Sequence, residues 1–172
     1  MRLDGFGIFV ERMPAMVRFY RDVLGFEIRE DENASNVYLE KDGTLFLLYR
    51  RADFEKMTGR RFGYAGPVNG HYEIALSVED HAAVDAAFRE VVAKGARPVM
   101  EPTTEPWGQR TCYVADPEGN LIEVKFEDFE ADAMGMTENI YQSLSIPGFA
   151  EARSDIEKYV GGKKGYKKNK YK

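Results

Sequence analysis

The sequence predicts an α+β fold in which a strand–helix–three-strand unit is used twice, and three observations carry that expectation. The helix-face positions Met16, Phe19, Tyr20, Val23 and Leu24 recur 68 residues later as Val84, Ala87, Phe88, Val91 and Val92, which is how an internal repeat reads. A strand-like alternation precedes each of those helices, Phe6-Ile8-Val10 in one case and Tyr72-Ile74-Leu76-Val78 in the other. Each repeat then closes on a tight turn that launches an alternating strand, at Lys41-Asp42-Gly43 and again at Asp116-Pro117-Glu118-Gly119.

Taken in order, residues 3–11 form the first strand, with Gly5, Gly7 and Phe9 on the face opposite Phe6, Ile8 and Val10. Gly5-Phe6-Gly7 lacks the third glycine and the helix start of a dinucleotide fingerprint, so that motif is rejected. Pro14 opens an amphipathic helix that Gly25 stops. Strands are expected near 26–31, 35–41 and 44–50. Residues 51–70 break the rhythm with a short helix around 52–58, the Arg60-Arg61 pair and several glycines, and read as a linker between modules spanning about 3–50 and 71–126. In the second module His71–Val78 is a strand, Asp80 caps a helix that stops at Gly95, Pro98, Pro102 and Pro106 suit an edge strand or loop, and Arg110–Ala115 is a strand. After the Asp116 turn, Ile122, Val124 and Phe126 share one face of the last strand and Leu121, Glu123 and Lys125 the other. The extension 127–172 does not continue the repeat; it is expected to hold a helix over about 149–160 and to end in a disordered basic tail.

The totals bound the function. With 172 residues, 44% of them apolar, and no apolar run of the roughly 20 residues a membrane span needs, the chain is expected to be a soluble cytoplasmic protein. Its one cysteine, Cys112, excludes an intrachain disulfide and reads as a small buried hydrophobe rather than a nucleophile. Six lysines fall within residues 163–172, so the remainder carries 18 basic and 29 acidic side chains, a net charge of −11, which argues against nucleic acid as a partner.

Phe19-Tyr20-Arg21-Asp22-Val23-Leu24-Gly25-Phe26 at the end of the first helix, and Asp116-Pro117-Glu118-Gly119-Asn120-Leu121-Ile122-Glu123 in the last hairpin, resemble the vicinal oxygen chelate superfamily, the glyoxalase, bleomycin-resistance and extradiol-dioxygenase group. The resemblance covers about residues 3–126. It implies two βαβββ modules forming a cup-shaped, mixed eight-stranded sheet with outer helices and the ligand inside. Metal-using members draw ligands from the first and last strand of each module, and those positions here look like Gly5, Leu47, Glu73 and Glu123. Glu123 matches the recurrent family glutamate, Glu73 stands where a histidine is usual, and Gly5 and Leu47 supply no donor. Glu73 and Glu123 are thus the only metal ligands available, a set suited to a weakly held ion. A solvated outer position explains an isolated strand Glu equally well.

Two functions compete. The first is a metal-free binding protein of the bleomycin-resistance kind, taking a flat or cationic small molecule in a cup lined by Gly5, Gly7, Phe9, Leu47, Tyr49, Glu73, Tyr113 and Glu123, with His71 and Trp107 as further ligand contacts. The second is a lyase or isomerase of the glyoxalase kind, using a divalent metal (Zn, Ni, Mn or Fe) with Glu73, Glu123 and Tyr113 as catalytic groups. A dioxygenase is disfavoured because no His–His–Glu triad can be assembled. Binding is ranked first, no cofactor is expected, and a homodimer is the expected assembly. His81, at the start of the second helix, reads as a surface residue.

Overall fold

A computed structural model describes residues 5–64, 68–128 and 133–162. The linker residues 65–67 and the basic tail from 163 onward lie outside the described residues. The first module runs β1 (Gly5–Val10), α1 (Met13–Arg18, continuing through a wider π-helical turn at Phe19–Val23), β2 (Asn36–Lys41), β3 (Thr44–Arg50) and α2 (Arg51–Thr58). The second runs β4 (Asn69–Ser77), α3 (His81–Ala93), β5 (Arg97–Thr104), β6 (Arg110–Ala115) and β7 (Asn120–Phe126), and the extension holds α4 (Ala133–Ser143) and α5 (Phe149–Gly162). No helix among the described residues is long and apolar enough to cross a membrane.

The duplication is visible in the ladders. β1 lies parallel to β3, and β4 parallel to β7, giving sheet orders β1-β3-β2 and β4-β7-β6-β5. Gly5 pairs with Leu45 and Gly7 with Leu47; Glu73 pairs with Leu121 and Ala75 with Glu123. Shifting the first strand by 68 residues and the last by 76 maps one ladder onto the other, so Glu73 is the counterpart of Gly5, and Glu123 that of Leu47. The turn glycines Gly43 and Gly119 both take positive φ, 76° and 86°, a backbone state glycine adopts without a steric penalty.

The modules differ at one strand. Residues 26–31 were expected to form the second strand of module one, and their burial does alternate, with Phe26 and Ile28 buried between exposed neighbours. They join no ladder, so the first sheet has three strands and the second four. A period of two therefore reported burial and not pairing: Phe26 packs its ring against Tyr20 and Phe46, and its N–H bonds to the Tyr20 carbonyl at the end of the helix, 2.9 Å away. α4 was not anticipated from the sequence, although Met136, Ile140 and Leu144 follow a four-residue spacing. α5 begins at Phe149 as expected, and Tyr141 packs against Phe149 across the helical pair.

One apolar cluster runs through both modules, from Ile8, Met16, Tyr20 and Leu48 to Val91, Val114 and Ile122. A polar network pins it together. Tyr20 is fully buried and its hydroxyl donates to Asp116 Oδ2 at 3.1 Å; Asp116, 2% exposed, also accepts from Asn120 Nδ2 and from the backbone N–H of Glu118 and Asn120. Asn120 Oδ1 in turn accepts from Asn69 and Tyr72. Beside this, Glu118 accepts from the backbone N–H groups of Glu11 and Arg12 just ahead of α1, and pairs with Arg51 at 2.8 Å.

Burial raises the Asp116 carboxyl above its ordinary 3.8, against the hydrogen bonds that pull it down. Its folded value thus exceeds its unfolded one. The stability this proton adds is complete below the ordinary value and is lost as pH rises through the raised value. Tyr20→Phe removes one donor from the charged form and should cost about 1–3 kcal/mol at pH 7, with a smaller cost near pH 4, where the carboxyl is increasingly protonated. Urea denaturation of both proteins at the two pH values measures this, and an equal penalty at both would contradict it.

Candidate functional site

Strand alternation sets the site. On the helix-free face of the second sheet, β4 presents Glu73, Ala75 and Ser77, β6 presents Thr111, Tyr113 and Ala115, and β7 presents Leu121, Glu123 and Lys125. Tyr113 lies directly across the ladder from Glu123, with Glu73 on the same sheet face. Burial first, then the neighbouring Glu73 and Glu123 carboxylates, raise the Tyr113 hydroxyl far above its ordinary 10.0, so it remains a proton donor through the physiological range. The sequence placed Glu73, Tyr113 and Glu123 in one cup, and the structure brings the three together on one face.

The two carboxylates are not alike. Glu73 is exposed, whereas Glu123 is only 5% exposed. Glu123 Oε1 accepts from Thr111 Oγ1 at 2.8 Å and from Gln109 Nε2 at 3.0 Å, and Gln109 Oε1 accepts from Trp107 Nε1 at 3.0 Å. Neither Gln109 nor Thr111 was singled out from the sequence. Thr111 could have been found as the residue two before Tyr113 on the same strand face; Gln109 could not, because it acts from a loop. That loop, 105–109, turns on Gly108 at φ 96° and is closed by a Glu105 N–H to Gln109 carbonyl bond, and His81 at the start of α3 holds the Gly108 carbonyl at 3.1 Å. His81 is exposed as expected, and it also anchors the site loop.

The first module's half of the face differs from the expected open cup. Phe9 and Tyr49 sit on it, but α2 lays Phe54 over them, stacked on Phe9 at 4.1 Å and edge-on to Tyr49 at 6.0 Å, with Phe62 next to Phe54. Leu47 is half-buried there, and His71 is exposed beside a bulge between Asn69 and Glu73. Beside Gly5 there is no room: a Cβ at Gly5 would lie 2.7 Å from the Leu45 carbonyl oxygen and 2.8 Å from its Cβ. A cavity of about 890 Å³ lies elsewhere, between the end of α1, the β2–β3 turn, β4 and α3, walled by Phe6, Leu24, Phe46, Ile74, Leu76 and Val91; of the predicted site residues only Glu73 borders it. It exposes the unpaired edge of β4, and its charged lining residues pair with one another, Lys41 with Asp42 and Lys94 with Glu90, so the Glu73–Tyr113–Glu123 group is the better candidate site.

These residues do not make a divalent-metal donor set. Gly5 and Leu47 carry no ligand atom, the Gly5 position has no room for one, Glu123 Oε1 already accepts from Gln109 and Thr111, and among the described residues no three His, Cys, Asp or Glu side chains converge. Cys112 is fully buried against Val124 and Val84, and burial pushes its thiol up to about 11, as suits a core residue and not a nucleophile.

A strand–helix–strand unit used twice, as βαββ and then βαβββ, with a glutamate on the end strand of the second repeat, defines a glyoxalase-like protein. The sequence model of the Glyoxalase/Bleomycin resistance protein/Dioxygenase superfamily matches residues 2–124, and the chain belongs to that superfamily. The uncharacterized protein YwbC of Bacillus subtilis (strain 168) is 30% identical over 123 residues, 71% of this chain and 94% of YwbC. Among solved structures, a glyoxalase-related enzyme from Fulvimarina pelagi superposes with a TM-score of 0.64 at 20% identity, covering 74% of this chain and 88% of that one. A lactoylglutathione lyase from Agrobacterium tumefaciens gives a TM-score of 0.56 at 24% identity, covering 72% and 92%. At such identities the two structures show the shared fold.

The Leu45 contact yields a direct test. Gly5→Ala should destabilise the protein by about 1–3 kcal/mol, since the β1–β3 backbone must move, whereas Gly7→Ala, whose Cβ would meet only Leu47 side-chain atoms at 3.6 Å or more, should be tolerated. Thermal melts of the two variants that showed no difference would mean that the strands are not so closely spaced.

Proposed function

We propose that this member of the superfamily is a small-molecule binding protein that works without a tightly held metal, and that its ligand is held on the open face of the second sheet by Glu73, Tyr113 and Glu123. The observation that carries this reading is that Glu73, Tyr113 and Glu123 share one face of the second sheet while the positions equivalent to the two carboxylates in the first module are Gly5 and Leu47. Two carboxylates, Glu73 exposed at the edge strand and Glu123 largely buried beside it, favour a ligand that brings hydrogen-bond donors and positive charge, and the net charge of −5 supplies a long-range field of the same preference. The exposed ring of Phe9 and its neighbour Tyr49 belong to the apolar wall of the first module, which suits an aromatic portion of the same ligand. A metal-dependent lyase or isomerase of the glyoxalase kind would need donors from four strands, and only two strands supply them.

Tryptamine is a suitable probe, being both aromatic and cationic. Titration calorimetry should detect its binding to the wild-type protein, and Glu73→Gln combined with Glu123→Gln should weaken it about tenfold or more, roughly 1.4 kcal/mol. An unaffected double variant would place the site elsewhere. Separately, protein dialysed against Ni, Zn, Mn or Fe and then against buffer should retain well under one equivalent by elemental analysis; near-equimolar metal lost on Glu73→Gln would reverse the ranking of the two functions.

A further inference from the structure

The loop 105–109 contributes two side chains whose order of hydrogen bonding is fixed by chemistry. An indole N–H can only donate. Trp107 Nε1 therefore requires the oxygen of the Gln109 amide, which turns the amide NH₂ toward Glu123, and the 3.0 Å distances on both sides match that assignment. Thr111 donates to the same Glu123 oxygen, Oε1, so both fixed donors converge on one atom of a side chain that is 5% exposed. The opposite amide orientation would set NH₂ against N–H on one side and oxygen against carboxylate on the other, two unmet polar contacts in place of two hydrogen bonds.

We propose that Gln109, oriented by Trp107, is a positioning and specificity-determining residue: it saturates Glu123 Oε1 and directs Oε2 toward Tyr113 and the open face as an acceptor, so that the site accepts ligands presenting N–H donors, such as ammonium or amidinium groups, and rejects carboxylates. This rests on the binding function proposed above for its ligand, and on the hydrogen-bond relay alone for its geometry. Trp107, assigned from the sequence to ligand contact, acts one step further back. Its N–H sets the amide, while His81 pins the loop at Gly108.

Trp107 is the single tryptophan of the chain, so its indole N–H gives one resolved NMR resonance. Gln109→Met preserves the length of the side chain and removes the acceptor: the indole resonance should move upfield and its exchange with solvent should quicken. Glu123→Gln, two links away, should also move it, because the amide then faces a group that can itself donate. A mere scaffolding role for the loop would lower the melting temperature without this coupled response, and an indole resonance unchanged in both variants overturns the relay. The ligand arm compares tryptamine with indole-3-acetate, which keeps the ring and exchanges the ammonium for a carboxylate. Wild-type protein should prefer tryptamine, and Gln109→Met should narrow that preference about tenfold, the effect expected for a charge-assisted contact. Retention of the full preference in a folded Gln109→Met protein overturns the specificity role. Should wild-type protein bind neither probe, the proposed binding function fails and the indole measurements still decide the relay. If Gln109→Met does not fold, Trp107→Phe, which keeps an aromatic ring and removes the indole N–H, carries the ligand arm with the same expected loss of preference.

Discussion

Asp116 is the point on which the two modules turn. Its buried carboxylate accepts from the Tyr20 hydroxyl of the first module and from Asn120 and two backbone N–H groups of the second. Because a buried charge without partners is far costlier than one that is fully hydrogen-bonded, the network penalises any arrangement in which Tyr20 and the last hairpin separate. Asn120 extends it to Asn69 and Tyr72 on β4, and Tyr72 closes edge-on against Phe6 of β1 at 5.3 Å. The same turn delivers Glu118 to the backbone just ahead of α1 and to Arg51 at the start of α2, so a four-residue turn contacts both helices of the opposite module.

From that fixed point the two halves diverge in what they place on the open face. The first module closes its share: Leu45 fills the space beside Gly5, and Phe54 from α2 stacks on Phe9. The second module leaves Glu73 and Ala75 exposed, and spends its polar capacity on Glu123, which accepts from Thr111 on β6 and from Gln109 in the loop just before it. A face that is apolar on one side and acidic on the other suits amphipathic, donor-bearing ligands, and the same asymmetry explains why a four-position metal set is lacking.

The repeat, the helix caps and the turn chemistry were legible because each rests on local rules. Asp80 does cap α3 by accepting from the Ala83 N–H at 2.7 Å, and the Asp116 turn closes with the Gly119 N–H on the Asp116 carbonyl at 3.0 Å. The strand expected over 26–31 shows the limit of such rules. Alternating burial arises wherever an extended segment lies on a core, and the pairing that makes it a strand depends on where its neighbour runs.

By itself, then, the sequence determined the repeat of a strand–helix–strand unit, its equivalent positions and the presence of Glu73 and Glu123 on one sheet face, since a period of two and a period of 3.6 depend only on backbone geometry. Tertiary structure alone decided that Phe54 covers Phe9, that Leu45 occupies the space at Gly5, and that Asp116 serves as a junction rather than only a turn residue. It also decided the role of Gln109. The physical reason is common to all four: each depends on contact between segments far apart in the chain or on a loop's path, and neither is encoded in a local period.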